Sequence, residues 1–249
     1  MVRGMRASSI GHFARHGIGP KLPVRRLTGF GLALLAVLAA ASTGAAHSLT
    51  RLESELRDRE KYFQAMGEAA PDFELLDVDG GTLRLGDLRG QVIVLNFIYT
   101  TCPDVCPLHA ERIAEVQAMV NRTPMKDQVR FISITTDPEN DTPQAMRDYG
   151  PAHGLDPANW VFLTSGPAMP EDATRKLAER FGHKFTKTDD GYQTHAVVTH
   201  VIDREGRWRA KFHGLGFDPA NLVVFVNALV NDVHDPAEPG FWDWLRSLF

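Results

Sequence analysis

The chain has 249 residues, with 27 Lys+Arg against 31 Asp+Glu and a net charge of −4. Six of the basic residues and no acidic one lie in the first 46 residues, so the remainder carries a net charge of −10. An acidic body of about 200 residues suits one domain with a substantial core, and it argues against binding nucleic acid or an anionic membrane surface.

Residues 1–47 read as an export signal or a membrane anchor. Arg3, Arg6, Arg15, Lys21, Arg25 and Arg26 precede an apolar run, Gly29–Ala41, and the small residues Ser42–Ala46. The run is short for a spanning helix, which needs about 20 residues, and serves as an uncleaved anchor only if tilted or matched to a thin bilayer. No cysteine follows it, which excludes a lipoprotein anchor. Export places the body in an oxidising compartment, the periplasm, free or tethered to the inner membrane.

Residues 48–68 are charged, and Leu49, Leu52, Leu56 and Phe63 recur near helical spacing, which predicts a tether or first helix. A main domain is predicted for 69–232. Phe73–Leu85 reads as two short strands about an Asp79-Gly80-Gly81 turn. Val92–Tyr99 reads as a buried central strand, Leu108–Val120 as an amphipathic helix and Val129–Thr135 as the next strand. A helix follows from Asp141-Thr142-Pro143 to about Tyr149, with Asp141 or Thr142 as its N-cap. Trp160–Leu163 is a strand and Pro170–Phe181 a helix; Lys187–Thr194 is a polar loop leading into the strand Ala196–Asp203. Arg204–Gly206 turns into a partner strand, Arg207–Phe212, and Asp218–Val230 closes the domain as a helix. This order predicts an α/β fold, a thioredoxin-like three-layer sandwich with a central mixed sheet whose closing hairpin forms antiparallel edge strands. The tail, 233–249, carries Phe241, Trp242, Trp244, Leu245, Leu248 and Phe249, a composition suited to a membrane interface or to packing on the body.

The only two cysteines stand in one window, Cys102-Pro103-Asp104-Val105-Cys106-Pro107, just past the central strand. Two thiols this close form a disulfide, clamp a metal, or do both in turn. A residue before proline avoids the helical region, so the two cysteines cannot both lie inside a regular helix. Pro107 suits a first helical position, which makes Cys106 the expected N-cap, where the positive end of the helix lets a thiol lose its proton more easily. Two sulfurs leave a soft ion under-coordinated, and sulfur with imidazole suits copper. His47, His109, His153, His183, His195, His200 and His213, with His234 in the tail, are the candidate third donors. His109 follows Cys106 by three residues, His195 stands where the polar loop enters the strand Ala196–Asp203, and His200 and His213 lie further along the hairpin.

These segments resemble the Sco/SenC family. Phe97–Pro107 is similar to its copper-site signature, Asp137-Pro-Glu-Asn-Asp-Thr-Pro143 to its second motif, and Gly191-Tyr-Gln-Thr-His195 followed by the strand and turn through Gly206 to its third. The third motif is one residue short between Tyr192 and His195, Thr194 replaces an aspartate, and His200 stands where the family has tyrosine. The resemblance, over residues 69–231, implies a copper ion, Cu(I) or Cu(II), on Cys102, Cys106 and His195. It implies a metallochaperone that delivers copper to the copper-binding subunit of cytochrome c oxidase and depends on a thiol reductant or an upstream copper donor. A different class also fits the residues: a thiol–disulfide oxidoreductase in which Cys102 and Cys106 form the redox dithiol. A pure interaction module leaves the paired cysteines unexplained.

Overall fold

The computed structural model describes residues 49–188, 191–194 and 196–231. The segments read as signal and aromatic tail, and His195, lie outside the described residues.

Helix α1 (Leu49–Arg59) buries Leu49 and Leu56. It stops where the Glu60 carboxylate turns the chain, accepting the N–H groups of Tyr62 and Asp218 and the Asn221 side-chain amide. The next segment is strand β1 (Phe63–Ala69), paired antiparallel with β10 (Arg207–His213). The helical spacing of Leu49, Leu52, Leu56 and Phe63 therefore overshoots: Phe63 enters the same core from a strand.

β2 (Glu74–Asp77) and β3 (Thr82–Arg84) form the first hairpin, with Gly80 at φ 83° in its turn. β4 (Val92–Ile98) is buried at every position, as a strand covered on both faces must be. It leads through the dithiol loop into α2 (Val105–Asn121). β5 (Val129–Thr135), α3 (Pro143–Ala152), β6 (Trp160–Thr164) and α4 (Ala173–Arg180) follow. β7 (Phe185–Thr188) and β8 (Gly191–Thr194) pair into a separate hairpin where the sequence predicts a polar loop. β9 (Val198–Ile202), β10 and α5 (Pro219–Val230) complete the domain. Thr142 caps α3 by accepting the Ala145 N–H at 3.2 Å, and Asp218 caps α5 by accepting that of Ala220 at 2.9 Å.

The eight-stranded sheet runs β1-β10-β9-β4-β5-β6-β2-β3, parallel only across β4, β5 and β6. The thioredoxin-like mixed sheet is thus present, but β9 is an interior strand lying antiparallel to β4, not an edge. The register Asn96↔Thr199 and Leu95↔His200 puts the start of β9 at the carboxyl end of β4, beside the dithiol loop. Alternation along β4 divides the core. Val92, Val94 and Ile98 pack with α1, α2, α3 and α5, whereas Ile93, Leu95 and Phe97 pack with Leu177 and Ala178 of α4 and with Phe181 and Trp208.

Gly150 sits in α3 where a β-carbon would lie 2.2 Å from the Trp160 ring. Alanine in a helix ordinarily gains up to about 1 kcal/mol over glycine. Here Gly150→Ala reverses the sign, with a net loss of about 1–2 kcal/mol from overpacking, measurable as a lower urea midpoint.

Candidate metal centre

The dithiol loop leaves β4 at Tyr99 and enters α2 at Val105. Pro103 keeps Cys102 out of the helix. Asp104 is the N-cap, though its side chain makes no cap bond, and Cys106 lies inside the first turn. The Cys106 N–H donates to Cys102 Sγ at 3.4 Å, so a sulfur satisfies a helix-start amide that would otherwise lack a partner. Both cysteines are free thiols, 7% and 3% exposed, at the margin of the larger core cluster. Thr101, Pro103 and Asp104 around them are exposed, as is Leu108 at 49%.

This geometry reverses the acidity expected from the sequence. The Cys102 thiol is lowered to about 5, first by a hydrogen bond from the Cys106 side chain and further by the N–H groups of Asp104 and Cys106 and by Tyr99, against the opposing effect of burial. The Cys106 thiol is pushed up by its bond to Cys102 and by burial. The positive end of α2 does acidify a thiol, but it is the one facing the helix from outside, not the one within its first turn.

A buried carboxylate holds the loop from behind. Asp141, 3% exposed, accepts the Thr100 N–H at 2.9 Å together with the hydroxyls of Thr100 and Thr135. Burial raises its pKa despite these bonds. Sequence reasoning offered Thr142 or Asp141 as the helix cap; Thr142 takes that task and leaves Asp141 to tie the loop to the end of β5. Asp137 organises the adjoining turn, its carboxylate accepting the Asn140 amide at 3.0 and 2.9 Å.

The histidines fall into distinct places. His200 is fully buried on the α4 side of the sheet, its Nε2 2.9 Å from that of His183, among Phe97, Phe181 and Trp208. It faces away from the cysteines, since β9 alternates and Val201 belongs to the cysteine-side cluster. His109 is turned under α2, its Nε2 2.9 Å from Thr199 Oγ1. Burial lowers His109 to about 3 and His183 to about 4, and holds His200 well below the usual imidazole range, so all three are neutral at pH 7. Among the described residues no three His, Cys, Asp or Glu side chains are placed to hold a metal ion. The described donors at the centre are therefore the two sulfurs, and soft thiolates select soft cations.

The family model SCO1/SenC matches residues 63–231. The chain belongs to the SCO1/SenC family. A mitochondrial SCO2 homolog from Mus musculus is 34% identical over 205 residues, 81% of this chain and 79% of that protein. An SCO2-like protein of Rickettsia conorii is 27% identical over 181 residues, 72% and 85% of the two chains. Bradyrhizobium japonicum ScoI, solved with copper bound, superposes with a TM-score of 0.53 at 28% identity over 65% of this chain and 99% of that one. BsSco, a member of the Sco family of cytochrome c oxidase assembly proteins with a disulfide switch, gives 0.59 at 22% identity over 68% and 96%, a likeness of fold.

Two outcomes test the loop's construction. Asp141→Ala removes the acceptor of the Thr100 N–H and of the Thr100 and Thr135 hydroxyls and costs about 2–3 kcal/mol in a denaturant titration, with Asp141→Asn costing less. In reduced Cys106→Ala, Cys102 loses the bond that chiefly acidifies it. The midpoint of its pH-dependent alkylation by iodoacetamide then rises from near 5 toward that of an ordinary thiol, about 8.5.

Proposed function

We propose that Cys102, Cys106 and His195 hold one copper ion as cargo and pass it to an acceptor outside the cytoplasm, the copper-binding subunit of cytochrome c oxidase. The observation that carries the reading is the pair of free thiols at the carboxyl end of β4, joined by the Cys106 N–H to Cys102 Sγ contact, in a SCO1/SenC chain. The copper-bound ScoI supports the choice of metal. His195 stands three residues before Val198, where β9 begins beside the dithiol loop.

The residues divide the work. Cys102 is the donor whose thiol is acidified; Cys106, held up by its bond to Cys102, gives up its proton when a cation replaces Cys102 as its partner. Asp141 and the two prolines keep the sulfurs converged, so binding requires little reordering. Release proceeds by ligand exchange, an incoming donor replacing one thiolate at a time, and the exposed Pro103, Asp104 and Leu108 leave an approach to the pair. The N-terminal basic and apolar segment supports export, with the acceptor in the same compartment.

A second reading has its own support. An acidified thiol beside a buried, high-pKa partner suits dithiol exchange, Cys102 attacking a disulfide and Cys106 resolving the mixed disulfide. The two activities are compatible, because only the reduced pair takes a metal.

Anaerobic reconstitution of the reduced protein with Cu(I) separates them. The expected result is one copper per chain, lost in Cys102→Ala and Cys106→Ala. His195→Ala should bind at least tenfold more weakly while still exchanging disulfides. Copper binding indifferent to both cysteines would overturn the first reading.

A further inference from the structure

A centre built from these residues needs a fixed spacing between α2, which carries Cys106, and β9, which follows His195. Apolar packing brings α2 over β9, with Ala110 and Ile113 in the same core cluster as Val201. Among the described residues a single side-chain hydrogen bond joins α2 to β9, from His109 to Thr199 at 2.9 Å. Both groups are buried, 1% and 0% exposed. His109 follows Cys106 by three residues, on the same side of the helix. Thr199 follows His195 by four.

The bond sits in a polar row that crosses the sheet beneath α2. Trp160 Nε1 donates to Ser133 Oγ at 3.1 Å, Ser133 Oγ donates to Asn96 Oδ1 at 2.8 Å, and Asn96 faces Thr199 in register. Polar groups at these positions desolvate at a cost that apolar ones would avoid. What they supply is direction: an imidazole nitrogen and a hydroxyl fix one orientation, whereas apolar contacts tolerate sliding. Burial keeps His109 neutral, with one N–H and one lone pair, and the Thr199 hydroxyl serves either tautomer.

We propose that His109 is a positioning residue of the metal centre, and that its bond to Thr199 fixes the Cys106 turn of α2 against β9, the strand that follows the expected third donor in sequence. The proposal rests on the copper reading. It gives His109 no ligand role.

The test loads the full chain with Cu(I) and Cu(II) and compares paired variants. Thr199→Val and His109→Leu remove the bond; Thr199→Ser and His109→Gln, whose amide nitrogen takes the place of Nε2, retain it. Gln117→Met serves as the control, because it removes buried hydrogen bonds of the same helix far from the dithiol. The expected result is a Cu(I) affinity about tenfold weaker in Thr199→Val and His109→Leu, with altered Cu(II) hyperfine coupling and sulfur-to-copper absorption. Thr199→Ser and His109→Gln should match the parent, and Gln117→Met should lose thermal stability with affinity and spectra unchanged. Parent-like copper spectra and affinity in both Thr199→Val and His109→Leu would overturn the proposal and leave the copper reading standing. So would losses in Thr199→Ser and His109→Gln equal to those of their partners. A parent chain that binds no copper through its cysteines would overturn the copper reading and this inference with it.

Discussion

The site depends on a sulfur atom closing the first turn of a helix. Cys102 Sγ accepts the Cys106 N–H, and that contact places the two thiols on either side of the start of α2. The Cys106 side chain chiefly, with that N–H in support, lowers the Cys102 thiol. The thiol outside the helix faces an N–H group and its partner's side chain; the thiol inside the first turn faces a thiolate and the core. Proline after each cysteine enforces the arrangement, because it denies Cys102 a helical conformation and lets α2 begin just before Cys106.

The rest of the domain supports that turn. β4 is covered on both faces and delivers the loop at the carboxyl end of a parallel strand, where α/β sheets leave a crevice. Asp141 pins Thr100 to Thr135 from below, so the loop is tied to two adjacent strands. β9 lies beside β4 and carries Thr199 toward the dithiol helix and His200 away from it. Each is met by a histidine, Thr199 by His109 on one face and His200 by His183 on the other. The strand that follows the expected third donor is thus held on both faces by neutral imidazoles, in a core where a charged group would be costly.

Much of this was legible in local sequence. The apolar runs of β4, β5 and β9, the Thr142 and Asp218 caps with their following prolines, and the Asp79–Gly81 turn all depend on neighbours within a few residues. So did the convergence of Cys102 and Cys106. The readings that failed depend on distant partners. β1 was read as helix because Phe63 continues the spacing of Leu49, Leu52 and Leu56, while its hydrogen bonds come from β10, nearly 150 residues away. Of the two caps offered, Thr142 or Asp141, Asp141 is taken by Thr100, a partner 41 residues earlier that local sequence does not show. Cys106 was expected to lose its proton easily as an N-cap residue, but it lies two positions deeper, inside the first turn of α2. His109 and Thr199 carry no signal in isolation; only the packing of α2 over β9 brings them together. For His195 the sequence resemblance remains the guide, since that residue lies outside the described ones.

X-ray absorption at the copper edge tests the central claim most directly, because it reads the donor atoms themselves. The Cu(I)-loaded chain should show two sulfur scatterers at about 2.3 Å and one imidazole nitrogen at about 2.0 Å, with the nitrogen shell lost in His195→Ala. A copper shell of nitrogen and oxygen alone, or an imidazole contribution unchanged in His195→Ala, would contradict the account.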